Sequence, residues 1–288
     1  MKKQIGSSVV IWALMVCYAV ARVLQIFSGR VPLSVVVALH VFLPVVFVLI
    51  HGAQSYRWRG ILTFVGISLV AGNIFENLGV RTGFPYGHYY FTEVMGPKLL
   101  AVPIMMGFAY VGMGYLCWTL AWLILGKVHG PLNGSRRVTL PLVAAFLMVA
   151  WDLSQDPIWA TILHCWIWVQ GGPYFGVPLS NFFGWYLAAY VIFQLFALYL
   201  RGRSPNWGAR SRGYWYQAVI FYAVFAAGNL LEVIPRAGLS VVSDATGRQW
   251  QVSDITGSCA MVTVFTMGAF ALIAWVRVMD QKGEGGST

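Results

Sequence analysis

Long apolar runs alternate with short polar or Gly/Pro-rich breaks along this chain. Runs fall at about 8–27, 32–51, 61–78, 99–125, 138–163, 181–200, 214–234 and 257–277. A helix of roughly 20 residues crosses the hydrocarbon core of a bilayer, and each run is near that length. Backbone polar groups in lipid must be satisfied within the segment, so the runs predict an all-α polytopic transmembrane helical bundle of about eight spans. The first run, Ser8 to Phe27, has no small-residue cleavage site and reads as a span rather than a cleaved signal. Residues 1–288 read as one integral membrane domain.

Two breaks stand apart. His164 to Ser180, HCWIWVQGGPYFGVPLS, carries no charge and is interrupted by Gly171, Gly172, Pro173, Gly176 and Pro178. Regular helix is disfavoured there. Two readings stay open: a re-entrant loop near 164–180 over a pocket, or an interfacial loop with a tryptophan belt. Residues 79–98, GVRTGFPYGHYYFTEVMGPK, crowd Phe84, Tyr86, Tyr89, Tyr90 and Phe91 at the exit of the third run. They form either an interfacial aromatic belt or the wall of an apolar pocket that can face a cation. AGNIFE at 71–76 returns as AGNLLE at 227–232, each followed by an arginine (Arg81, Arg236) and a glycine (Gly83, Gly238). The two lie four spans apart, which preserves orientation and suggests a four-helix duplication, 1–125 and 138–277.

Charge refines the picture. Only 10% of residues are charged and the net charge is +10. With the N-terminus inside, thirteen Lys and Arg fall in inner segments and five in outer ones, with Arg22 left near a helix end. This bias places both termini in the cytoplasm and makes the basic excess a membrane signature, with no nucleic acid partner. Cys17, Cys117, Cys165 and Cys259 sit in or beside apolar segments without metal-ligand spacing. The five histidines are scattered, and neither a glycine-rich dinucleotide fingerprint nor a P-loop is present. No metal and no cofactor are expected.

The chemistry therefore rests on carboxylates. Of nine acidic residues, Glu76, Asp152, Asp156 and Glu232 fall within or at the ends of spans. Ionisable groups there are costly and mark functional sites or helix-locking pairs. Asp152 and Asp156 are four apart and share one helix face, with Cβ atoms about 6 Å apart. Neighbouring carboxylates in a low dielectric resist double ionisation, so the pair is expected to share a proton. Pro157 frees a backbone carbonyl near Leu153. Asn73, Glu76 and Asn77 form a polar stripe in which an asparagine can orient the glutamate or fix a water. Asn229 and Glu232 repeat it, with Arg236 four residues on as a neutralising partner.

ENLGVRTGFPYGHYYFT (76–92), GPK (96–98), AWDLSQDP (150–157) and GPYFGVPLSNFFGW (172–185) together resemble the carotenoid-biosynthesis membrane family of CruF-type hydratases. The resemblance runs from about residue 60 to 200. It implies a cofactor-free enzyme of the bacterial inner membrane that adds water across the terminal C1–C2 double bond of an acyclic or monocyclic carotenoid; archaeal relatives act on fifty-carbon bacterioruberin precursors. Glu76, Asn77, His88, Lys98, Asp152, Asp156 and Asn181 match the family's polar positions. The chemistry needs a strong general acid, a held water and a dry aromatic pocket. Asp152 or Asp156 is expected as the acid and Glu76 with Asn73 or Asn77 as the water holder. His88, Tyr89, Lys98, Tyr174 and Asn181 complete the expected water- and substrate-binding set. The rival class is a proton-coupled transporter, which intramembrane carboxylates and a duplication also fit.

Overall fold

A computed structural model of the chain describes residues 2–27, 30–126, 132, 134–203, 210–234 and 240–280, the side chains of 2–6 and 33 excepted. The helices are α1 (Lys2–Leu24), α2 (Leu33–Thr82), α3 (Ile104–Ile124), α4 (Arg136–Leu153), α5 (Leu179–Tyr199), α6 (Arg212–Leu231), α7 (Val252–Thr263) and α8 (Ala269–Met279). Among the described residues, six helices are long and apolar enough to cross a membrane. One of these, α2, runs for 50 residues but leaves helical geometry at Arg57 (φ 59°, ψ 170°), which divides it into two arms of membrane length. These arms are the second and third predicted spans. The seventh predicted span coincides with α6, 20 residues long, which is not among those six helices. The eighth is α7 and α8, joined by a π-helical turn at Val264–Gly268. The architecture is all-α and polytopic, as the apolar runs require.

The fourth span starts later than the run of apolar residues suggests. Lys98–Leu99 (β2) and Val102–Pro103 (β3) pair as a short antiparallel ladder before α3 begins. Pro97 and Pro103 disfavour helix at the residues before them, and the ladder satisfies the backbone instead. In the fifth span Pro157 removes a backbone donor, and the chain continues past Leu153 as a π turn, Ile158–Ile162, closed by Leu163 N–H on the Ile158 carbonyl at 2.9 Å.

The broken segment after that turn is neither helix nor open loop. Trp166–Trp168 (β4) pairs antiparallel with Tyr89–Phe91 (β1), setting Tyr89 opposite Trp168 and Phe91 opposite Trp166. Strand side chains alternate faces. Tyr89 and Phe91 accordingly turn inward while Tyr90 turns out. Gly83 (φ 81°) closes α2 with its N–H on the Gly79 carbonyl, which turns the chain into this ladder. A second hairpin, Val241–Ser243 (β5) with Gln249–Gln251 (β6), lies before α7.

Close approach of α5 to the aromatic loop depends on Gly184. A Cβ there would lie 2.5 Å from the Tyr86 ring and 3.0 Å from the Pro85 backbone. Gly184→Val should cost about 1–3 kcal/mol through overpacking. Thermal unfolding in detergent reads the loss, and an unchanged midpoint would mean that the loop yields freely.

Candidate active site

Three carboxylates meet where α2, α4 and α5 approach the strand clasp. Glu76 comes from the second arm of α2, Asp152 from the last turn of α4, and Asp156 from the bend just before Pro157. All three are at most 3% exposed. Carboxyl groups buried this deeply require polar partners, and each has them.

Asn181, in the first turn of α5, sits between the two aspartates. Its amide nitrogen donates to Asp152 Oδ2 at 2.9 Å and to Asp156 Oδ2 at 2.6 Å. A primary amide has two N–H bonds, and here each serves one carboxyl. Asp156 Oδ1 accepts a third bond from the Trp166 indole at 2.8 Å. The predicted helical spacing of the aspartates thus becomes a bridged pair, held from two other elements.

Glu76 is held differently. Its Oε1 accepts from the Tyr110 hydroxyl at 2.7 Å, and its Oε2 accepts from the Tyr89 hydroxyl at 2.5 Å. The Tyr86 hydroxyl lies 2.9 Å from that of Tyr110 and extends the chain of phenols. Tyr110 stacks on Trp185 with 4.6 Å between ring centroids.

These groups face one cavity with about 250 Å³ of unfilled space. Glu76, Asp156 and Asn181 contribute its polar surface; Tyr89, Phe91, Met106, Trp166, Trp168 and Trp185 line most of the rest. Asp152 lies behind, reached through Asn181. Few polar groups converging in an aromatic pocket is the usual make-up of a small-molecule site. Among the described residues, no three of His, Cys, Asp and Glu come together as a metal-ligand set.

Other expected residues lie elsewhere. Asn77 donates to the Asn73 side chain at 3.0 Å and accepts from the Ala101 N–H at 3.1 Å. The two asparagines tie α2 to the β2–β3 turn and do not line the cavity. Lys98 bonds the Phe91 carbonyl at 2.9 Å and pairs with Glu93 at 2.8 Å, on the surface. His88 is exposed, and its ring packs over Gly83. Tyr174 donates to the Leu153 carbonyl at 3.0 Å, the acceptor that Pro157 frees. Tyr110, Trp166 and Trp185 were not singled out by sequence. They sit in runs so uniformly aromatic and apolar that no pattern sets them apart.

Glu232 belongs to a second buried group. Arg22 reaches Glu232 Oε1 at 3.3 Å, the Asn229 side-chain oxygen at 2.7 Å and His40 Nδ1 at 2.7 Å. Asn229 donates on to Ser154 Oγ at 2.7 Å. The expected partner, Arg236, lies outside the described residues. The echo between 71–76 and 227–232 is therefore not an echo of role: one glutamate is held by phenols, the other by a guanidinium.

Comparison with known proteins bears on the family of the chain. No solved structure matches the chain. A bisanhydrobacterioruberin hydratase from Haloarcula japonica is 33% identical over 136 residues, which span 46% of this chain and 44% of that protein. The family model for carotenoid biosynthesis proteins matches residues 29–246. The chain belongs to the carotenoid biosynthesis protein family.

Proposed function

We propose that this protein is a carotenoid hydratase that adds water across the terminal C1–C2 double bond of an acyclic carotenoid end group. The observation that carries the reading is the Asn181 amide bridging Asp152 and Asp156 beside an aromatic cavity, with Glu76 across it. An unactivated trisubstituted alkene needs a strong acid, and a carboxyl pair that shares one proton supplies it. Asp156 reaches the cavity and delivers the proton to C2; Asp152, on the same amide, is its partner in the pair. The π electrons form the new C–H bond and leave a tertiary cation at C1. The rings of Tyr89, Trp166, Trp168 and Trp185 line the same cavity, where they would face the cation and keep bulk water away. A water held by Glu76, itself fixed by Tyr89 and Tyr110, attacks C1. Its proton passes to a carboxylate, and the product is a tertiary alcohol.

No step requires an oxidant, and we read the enzyme as cofactor-independent. Its substrate dissolves only in lipid, which accounts for a site within a helical bundle. We read the excess of Lys and Arg in alternate loops as supporting termini on the cytoplasmic side, and take the membrane to be a bacterial inner membrane. The name of the archaeal relative favours a second substrate, a fifty-carbon bisanhydrobacterioruberin, whose end group would take water in the same way.

Expression in bacteria that accumulate lycopene tests the reading. The expected pigment is more polar on chromatography and has an unchanged visible spectrum, because hydration of the end bond spares the conjugated system. Pigment that stays unaltered, with both lycopene and the fifty-carbon substrate supplied, would overturn it in favour of a transporter.

A further inference from the structure

Hydration brings two reagents of opposite character to one buried site. The polyene arrives from lipid, but water needs a polar path through the loops. A second cavity, with about 220 Å³ of unfilled space, lies outside the first. Thr161 and His164, at the end of the α4 extension, form one side, and Asp244 and Ala245 of the β5–β6 hairpin form the other. Gly176 (φ 89°) closes an end, where a Cβ would meet Asp244 Cβ at 2.9 Å and Thr161 Oγ1 at 3.0 Å.

Trp168 lines both cavities. Its indole N–H is buried and lies against the Asp156 carboxyl, with which it interacts. The outer mouth is exposed at His164 and Ala245. Asp244 accepts from Thr246 Oγ1 at 2.6 Å, the Thr246 N–H at 2.9 Å and the Trp250 indole at 2.9 Å. Burial works against its ionisation, but these bonds outweigh it and hold the carboxyl below its ordinary range. A carboxylate thus stands at the entrance, while Trp168 at the inner end meets Asp156.

We propose that the outer cavity is the water port of the active site, with Trp168 as the partition that water passes to reach Asp156. The proposal rests on the hydratase reading for its purpose, but the route can be measured without turnover. An Ala245→Cys variant would be reconstituted in nanodiscs and treated with benzyl methanethiosulfonate, which places a ring in the mouth and is removed by dithiothreitol. Hydroxyl-radical labelling of Trp168 and Trp166 reads water access. The treated variant should lose at least fivefold in labelling of Trp168, and its rate of carotenoid hydration should fall by a similar factor with bound carotenoid unchanged. Reduction should restore both. Wild-type protein given the same reagent and a Ser243→Cys variant, on the same hairpin but off the cavity, should change in neither. Labelling that is unchanged in the treated variant, or labelling that falls while hydration continues at full rate, would overturn the route. If wild-type protein hydrates no carotenoid, the function fails, and the labelling still decides whether water enters here.

Discussion

Replacing Asp156 with Asn should lower the rate of hydrated carotenoid formation by about 10²- to 10⁴-fold, the span that a positioned general acid supplies. Asp156→Asn keeps the side-chain shape and an oxygen that can still accept from Asn181, so the protein should remain folded. Asp152→Asn should lose less, because Asp152 meets the cavity only through Asn181. The double variant should form no measurable product while binding carotenoid at the wild-type level. Product analysis by chromatography, alongside carotenoid retained on purified protein, separates chemistry from binding. Hydration at full rate in the double variant would remove the pair from the mechanism.

The largest effect on stability is expected at Arg22, which is 2% exposed and serves α6 and the first arm of α2 at once. Arg22→Met leaves Glu232 as a buried charge without this partner and should cost about 3–5 kcal/mol. For a chain of this size that is a fall of roughly 10 °C in the unfolding midpoint. A second change, Glu232→Leu, should recover a large part of the loss, since replacing both members of a buried pair with apolar groups is often nearly neutral. Midpoints of the single and double variants in one detergent test this. If the second change deepens the loss, the pair is not what Arg22 contributes. Gly228 adds a check on the geometry: a Cβ there would collide with the Arg22 guanidinium, so Gly228→Ala should weaken the same cluster.

Much of the fold is legible in the sequence because bilayer thickness imposes one length on every span. The break at Arg57 falls inside a polar stretch between two apolar runs. The aspartate pair is legible from its four-residue spacing, although α4 ends at Leu153 and it is the Asn181 amide that joins the two carboxyls. The acceptor at Leu153 follows from Pro157, and Tyr174 meets it. Spacing says which residues share a face, not what stands opposite. Asn73 and Asn77 share a stripe with Glu76, but they bond to each other and to Ala101, while Glu76 takes phenols from α3 and β1. Tyr110 lies in a helix buried on nearly every side, so amphipathic pattern cannot mark it. Arg22 stands 210 positions from Glu232, a pairing that no local rule reaches.

The strand clasp and the Asn181 bridge assign the site to two stretches of chain made at different times. Glu76, Tyr89 and Tyr110 leave the ribosome early; Asp152, Asp156 and Asn181 leave it late. Until α5 is inserted, the nascent protein can hold the glutamate with its phenols and the two aspartates, but not the amide that bridges them, and β1 has no partner before β4 is made. On the proposed reading, the acid pair therefore lacks its bridging amide in a half-made protein. On that reading, halves expressed singly should be inert and halves expressed together should regain activity on assembly, so the clasp would date the onset of catalysis within biogenesis.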